Sequence, residues 1–162
     1  MLLLGLYGLT CLGSSGQCWL LGNVDFVIHE AGHPIFGLFL GEFIGILGGT
    51  LMQLLMPAAF TTYFLFFRHD LYAACATGVW VAENLFGSVA TYIGDARARI
   101  LPLHGGPYVI HDWNYLLGKL GLLEWDHVIA WTVRAAGVLL FGACIVAGSL
   151  AAFQERPVEV TE

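Results

Sequence analysis

The sequence predicts an all-α fold: a polytopic transmembrane helical bundle of about four to five spans with one interfacial helix. Of its 162 residues, 58% are apolar and 11% charged, against roughly 45–50% and about 25% in a soluble domain. The mean hydropathy is +0.77. The apolar runs reach the ~20 residues a helix needs to cross the hydrocarbon core, and short glycine-rich or charged breaks separate them.

Taken in order, the runs place helices at about 1–13, 18–41, 43–67, 71–94 and 127–153. Met1 to Cys18 has no Lys or Arg to form the n-region of a signal peptide, so it reads as a short first membrane segment. Gly13-Ser14-Ser15-Gly16 ends that segment, Gly41-Glu42 turns the second helix into the third, and Arg68-His69-Asp70 makes a polar loop before the fourth. Such short connections imply antiparallel neighbours. Residues 95–126 form the long polar stretch, the expected place for a cap or a loop that admits substrate. Within it, Trp113 to Leu123 sets Trp and Tyr beside a leucine stripe, as a helix lying along the bilayer surface does. Arg97, Arg99 and Lys119 in this stretch, against single basic residues at 68 and 156, place the loop in the cytoplasm. The expected organisation is one membrane domain, 1–153, followed by a short polar tail, 154–162.

The six Lys and Arg residues are scattered among twelve acids, which excludes a nucleic-acid-binding surface. Cys11, Cys18, Cys75 and Cys144 have no zinc-knuckle or C-x-x-C spacing and read as small packing residues.

One motif carries chemistry: Val27-Ile28-His29-Glu30-Ala31-Gly32-His33, an H-E-x-x-H inside an apolar run. Residues i and i+4 share a helix face, so the two imidazoles converge on one metal ion while Glu30 reaches a water bound to it. With one further protein ligand, zinc keeps an open position and lowers the pKa of that water to about 7, and the glutamate carries a proton from it to the leaving amine. Ionisable groups inside a membrane helix are costly unless satisfied, which makes the motif more specific here than in a soluble chain. Pro34 withholds a helical N–H directly after His33 and so opens the helix beside the ligands.

This segment resembles the motif helix of the site-two protease family of intramembrane zinc metalloproteases, which cleave substrate helices within or near the bilayer. Gly49-Thr50-Leu51-Met52-Gln53 is similar to that family's G-P-x-x-N segment, with Thr50 at the proline and Gln53 at the asparagine. Asn84 followed by Gly94-Asp95-Ala96 is similar to its N-x-x-P and L-D-G elements. The resemblance covers residues 24–96. It implies that His29, His33 and Asp95 hold Zn2+, that Glu30 is the general base, and that the substrate is an unwound part of a transmembrane protein.

Depth along the helices leaves the third ligand open. At 1.5 Å per residue, His29 and His33 lie roughly 16 and 22 Å along a helix starting near Cys18. Glu83 lies about 18 Å along a helix starting at Leu71, at matching depth, and Asp95 about 36 Å along it, near the far surface. Asp95 reaches the metal if the third segment, with its glycines at 45, 48 and 49 and Pro57, is broken or re-entrant. His111 or Asp112 reaches it if the polar loop folds back into the bundle. Each has a structural reading as well: Glu83 as partner of Arg134, Asp95 as partner of Arg97 or Arg99, and His111 or Asp112 as a helix cap. Gln53 and Asn84 read as hydrogen-bonders to substrate or as interhelical bonds. His69, His104 and His127 fall in loops and read as solvated.

The expected function is an intramembrane zinc metalloprotease of a bacterial inner (plasma) membrane, working through a zinc-activated water on a substrate embedded in the lipid bilayer. The alternative is a non-proteolytic membrane scaffold or assembly subunit that keeps the cluster as a structural metal site. So thin a bundle favours a homo-oligomer or a larger membrane complex. A haem or chlorophyll site would leave Glu30 without a role.

Overall fold

The computed structural model describes residues 1–13, 21–102 and 109–154, and every regular element among them is helical. Helix α1 (Leu2–Gly13) is followed by α2 (Gly22–Thr62), which runs on into a π turn (Tyr63–Phe67). Helix α3 (Leu71–Asn84) begins where the Asp70 carboxylate accepts from the Ala73 N–H, a side-chain cap. It continues through a second π turn (Leu85–Val89) into α4 (Ala90–Gly94). Then come α5 (Asp112–Leu120), a single 3-10 turn (Leu123–Trp125) and α6 (Asp126–Gln154).

Helix α2 is two arms. At Gly41 the backbone leaves the helix with φ 82° and ψ 176°, a region open to glycine and strained for any residue with a Cβ. The chain reverses there, as Gly41-Glu42 leads one to expect, and the arms lie against each other. A Cβ on Gly32 would stand 2.2 Å from the carbonyl oxygen of Gly48, so the backbones touch beside the histidine motif.

Helix α3 packs along α6 and against α2, and α5 lies against α2 and α4. Phe86 and Phe141 meet edge to face at 5.8 Å in a core shared with Cys11, Val79 and Ala82. Val89, Ile93, Ala96, Leu117 and Ala130 form a second core under α5. Cys11 is disulfide-bonded, which corrects its reading as a plain packing residue, while Cys75 and Cys144 are free thiols.

Polarity is distributed the opposite way from a water-soluble domain. Phe39, Phe67 and Leu139 are 74–79% exposed, while Asp25, Gln53, Glu83, Asn84, Asp95, His111, Asp112 and Asp126 are buried. The runs Gly22–Phe67 and Leu123–Gln154 are each long and apolar enough to cross a membrane, the first of them folded back at Gly41. Cys18, His104 and the tail from 155 lie outside the described residues.

Candidate metal centre

His29 and His33 stand one turn apart on the first arm of α2. Ligand atoms of His29, Glu30 and His33 lie within 4.8 Å of one another. The second arm decides which ring nitrogens face inward. His29 Nδ1 meets Oε1 of Gln53 at 3.1 Å, and His33 Nδ1 meets the Gly45 carbonyl oxygen at 3.0 Å. Oxygen accepts, so each Nδ1 carries a proton, and each Nε2 presents a lone pair when its ring is neutral.

Onto those lone pairs α5 brings Asp112. Its Oδ2 lies 3.0 Å from His29 Nε2 and 3.5 Å from His33 Nε2. Three electron-rich atoms so placed repel one another unless a cation, a metal ion or a proton, stands among them. Zinc bound tetrahedrally at ~2.0–2.1 Å separates its ligand atoms by about 3.3 Å, close to both spacings. The second arm also leaves the space clear: a Cβ on Gly49 would lie 2.6 Å from His29 Nε2 and 2.7 Å from His33 Nε2. The donor set, its spacing and the side-chain-free wall at Gly49 therefore fit zinc.

The first residue of α5 is held in place from three directions. The Asp112 N–H donates to Tyr92 Oη at 3.1 Å. His111 caps the helix, its Nδ1 accepting from the Asn114 N–H at 3.3 Å, while its Nε2 lies 3.3 Å from Asp95 Oδ2 and donates to it. Burial pushes the His111 imidazole below its ordinary pKa, in keeping with a neutral ring that donates at one nitrogen and accepts at the other. Asp95 further accepts from the Ile100 and Leu101 N–H groups, each at 3.0 Å.

These contacts set Asp95 and His111 apart from the two histidines. The Asp95 carboxylate is turned to its own following turn and to His111, so it stands behind Asp112. His111 spends both ring nitrogens within the fold. Glu83 is buried on α3 and faces the cavity with an Oε2 that has no hydrogen-bond partner among the described residues. Its expected partner Arg134 donates instead to Thr91 Oγ1 at 3.1 Å. Arg97 does not pair with Asp95 but closes on Asp126. His69 and His127 are exposed, as expected.

Two residues without a sequence motif join the site. The Tyr92 ring packs on His111 with centroids 4.3 Å apart and stands edge-on to His29 at 6.1 Å. Asp25 lies four residues before His29 on the same helix face, and a buried carboxylate at that spacing in an apolar run was the signal available for it. Gln53 and Asn84 make the interhelical bond that was one of their two readings. A cavity of about 1120 Å³ is bounded by Glu30, His33, Asp112, Tyr92, Asp25 and Glu83, among others, and Glu30 is exposed to it. Compared with known proteins, the chain matches no family model, no curated sequence and no solved structure, so the reading of this centre rests on its own geometry.

Proposed function

We propose that the protein is an integral membrane zinc metalloprotease that hydrolyses a peptide bond of a membrane-embedded substrate. The observation that carries this reading is the convergence of His29 Nε2, His33 Nε2 and Asp112 Oδ2, with Glu30 alongside, on the wall of a large cavity. A catalytic zinc site keeps a position for water beside three protein ligands, which is the arrangement here when Glu30 serves as base rather than as a fourth ligand. In this reading the two arms of α2, the α3–α4 run and α6 are the spans, α1 is a short fifth and α5 lies at the interface.

Zinc supplies Lewis acidity there, acidifying water and polarising a carbonyl. The rest is done by side chains. Glu30 takes a proton from the attacking water and delivers it to the leaving amine. Tyr92 lines the cavity, and its Oη accepts from the Asp112 N–H, which leaves the hydroxyl its own proton to donate. There it donates to the carbonyl oxygen as negative charge grows on it. The substrate segment is unwound, because a helical peptide keeps its carbonyls in the i to i−4 ladder.

Metal analysis of detergent-purified protein and cleavage of a helix-destabilised transmembrane peptide test the reading together. The parent is expected to hold about one zinc per chain and His29→Ala none. Glu30→Gln keeps the zinc and cleaves roughly 10²–10⁴-fold more slowly. A folded parent free of metal, or a Glu30→Gln variant as active as the parent, overturns the assignment, the second outcome in favour of a non-proteolytic scaffold.

A further inference from the structure

Behind His29, on the side away from Asp112, a line of polar side chains crosses from α2 to α3. The Gln53 amide nitrogen donates to Asn84 Oδ1 and, at 2.6 Å, to Ser88 Oγ. Asn84 Nδ2 donates to Asp25 Oδ1 at 3.2 Å, and Trp80 Nε1 donates to the same oxygen at 2.7 Å. Gln53, Asn84 and Asp25 are only 5%, 1% and 4% exposed, so bulk water does not stand in for a missing partner.

The line has a direction, set at its far end. A primary amide fits either way round, since its oxygen and nitrogen are nearly equal in shape. A carboxylate oxygen only accepts. Asp25 therefore draws the NH₂ of Asn84, which leaves Asn84 Oδ1 for Gln53; that oxygen draws the NH₂ of Gln53, which leaves Gln53 Oε1 for His29. An oxygen at that place requires a proton on Nδ1. A neutral imidazole has one proton, so Nε2 is left bare where His33 and Asp112 converge. With the line reversed, Gln53 would offer an N–H to Nδ1, the proton would sit on Nε2, and His29 would have no lone pair for a cation. His33 needs no such device, because its Nδ1 partner is the Gly45 backbone carbonyl, which cannot flip.

We propose that Asp25, Asn84 and Gln53 form a directional hydrogen-bond relay that fixes His29 in its Nδ1-protonated tautomer and so keeps Nε2 as a metal ligand. They are positioning residues that act through His29. Their importance to zinc rests on the reading above, while the tautomer itself is a property of the metal-free protein.

Nitrogen NMR of histidine-labelled, metal-free protein in detergent reads it directly, with the His29 signals identified by their loss in His29→Gln. The parent is expected to show a protonated Nδ1 and a bare Nε2 on His29, the proton that metal-free His29, His33 and Asp112 share lying on Asp112 or His33. Asn84→Leu cuts the relay without touching His29; it should give a mixture of both His29 tautomers, leave His33 as it was, and weaken zinc about 10-fold in chelator competition. Asp25→Leu leaves Asn84 Nδ2 the Trp80 carbonyl at 3.3 Å and should shift tautomer and affinity the same way but less, whereas Asp25→Asn still offers an amide oxygen to the same two donors and should keep the parent's tautomer and affinity. A parent with its proton on Nε2 overturns the relay even if every variant fails to fold, and so does an Asn84→Leu variant with the parent's tautomer and affinity. A parent that takes up no zinc overturns the protease reading instead, and the tautomer still decides the relay.

Discussion

Two of the polar clusters among the described residues are built on opposite plans. In one, Arg97 Nε lies 2.9 Å from both Asp126 oxygens, Nη2 lies 2.8 Å from Oδ1, and Nη1 reaches Glu124 at 2.9 Å. Donors meet acceptors, opposite charges meet, and the cluster is complete; it ties the turn after α4 to the start of α6. In the other, the inward atoms of His29, His33 and Asp112 are all acceptors when the rings are neutral, since the Nδ1 protons of both rings are turned outward to Gln53 and Gly45. The first cluster is a joint and the second a receptacle. What separates them is the balance of donors and acceptors, since both hold buried charge.

The largest effect should come from removing the receptacle's third acceptor. Asp112→Ala is expected to lower zinc affinity by more than the about 10–100-fold that loss of a group behind a ligand costs. Asp95→Ala should stay within that range, because Asp95 acts only by holding His111 and through it the first turn of α5. Chelator competition on both variants measures the difference. Should Asp95→Ala release zinc as completely as Asp112→Ala, the two carboxylates exchange roles.

How much of this was legible in the sequence differs residue by residue. His29, Glu30 and His33 are set by helical spacing alone, and the reversal at Gly41 by a glycine beside a charge, so local rules reach them. Asp112 is not reached by local rules. Depth counted along single helices ranked Glu83 above Asp95 and could not bring in the loop beyond them. Counted from the Gly41 turn, His33 is only about 12 Å deep, and α5 packs against α2. Helix α5 enters from the turn side, on the end of the bundle where Asp95 lies, and carries Asp112 inward. That fold-back depends on Asp95 meeting His111 and on Tyr92 meeting the Asp112 N–H, contacts across 16 and 20 positions that no periodicity encodes.

A smaller effect sharpens the comparison from the catalytic side. Tyr92→Phe removes the hydroxyl that joins the Asp112 N–H to the cavity. A lost donor to a developing oxyanion costs roughly 10²–10³-fold in kcat, so the expected result is a fall of that order with KM and zinc content unchanged. A variant that keeps kcat but loses zinc would make Tyr92 a support for Asp112 alone.

The smallest effect on the site should come from breaking the joint. Arg97→Met leaves Asp126, which is 0% exposed, without its cationic partner. Asp126 then keeps only backbone donors, the His127 N–H at 2.7 Å and the residue-97 N–H at 3.3 Å, at the N-terminus of α6. The helix's partial positive charge there holds part of the carboxylate's stability but not all of it. The melting temperature should fall by several degrees, on the order of 5 °C, while zinc content and cleavage of the surviving folded protein stay at the parent's level. A variant that instead loses zinc at full thermal stability would show that the joint and the receptacle are one electrostatic unit, and the donor–acceptor balance would no longer distinguish them.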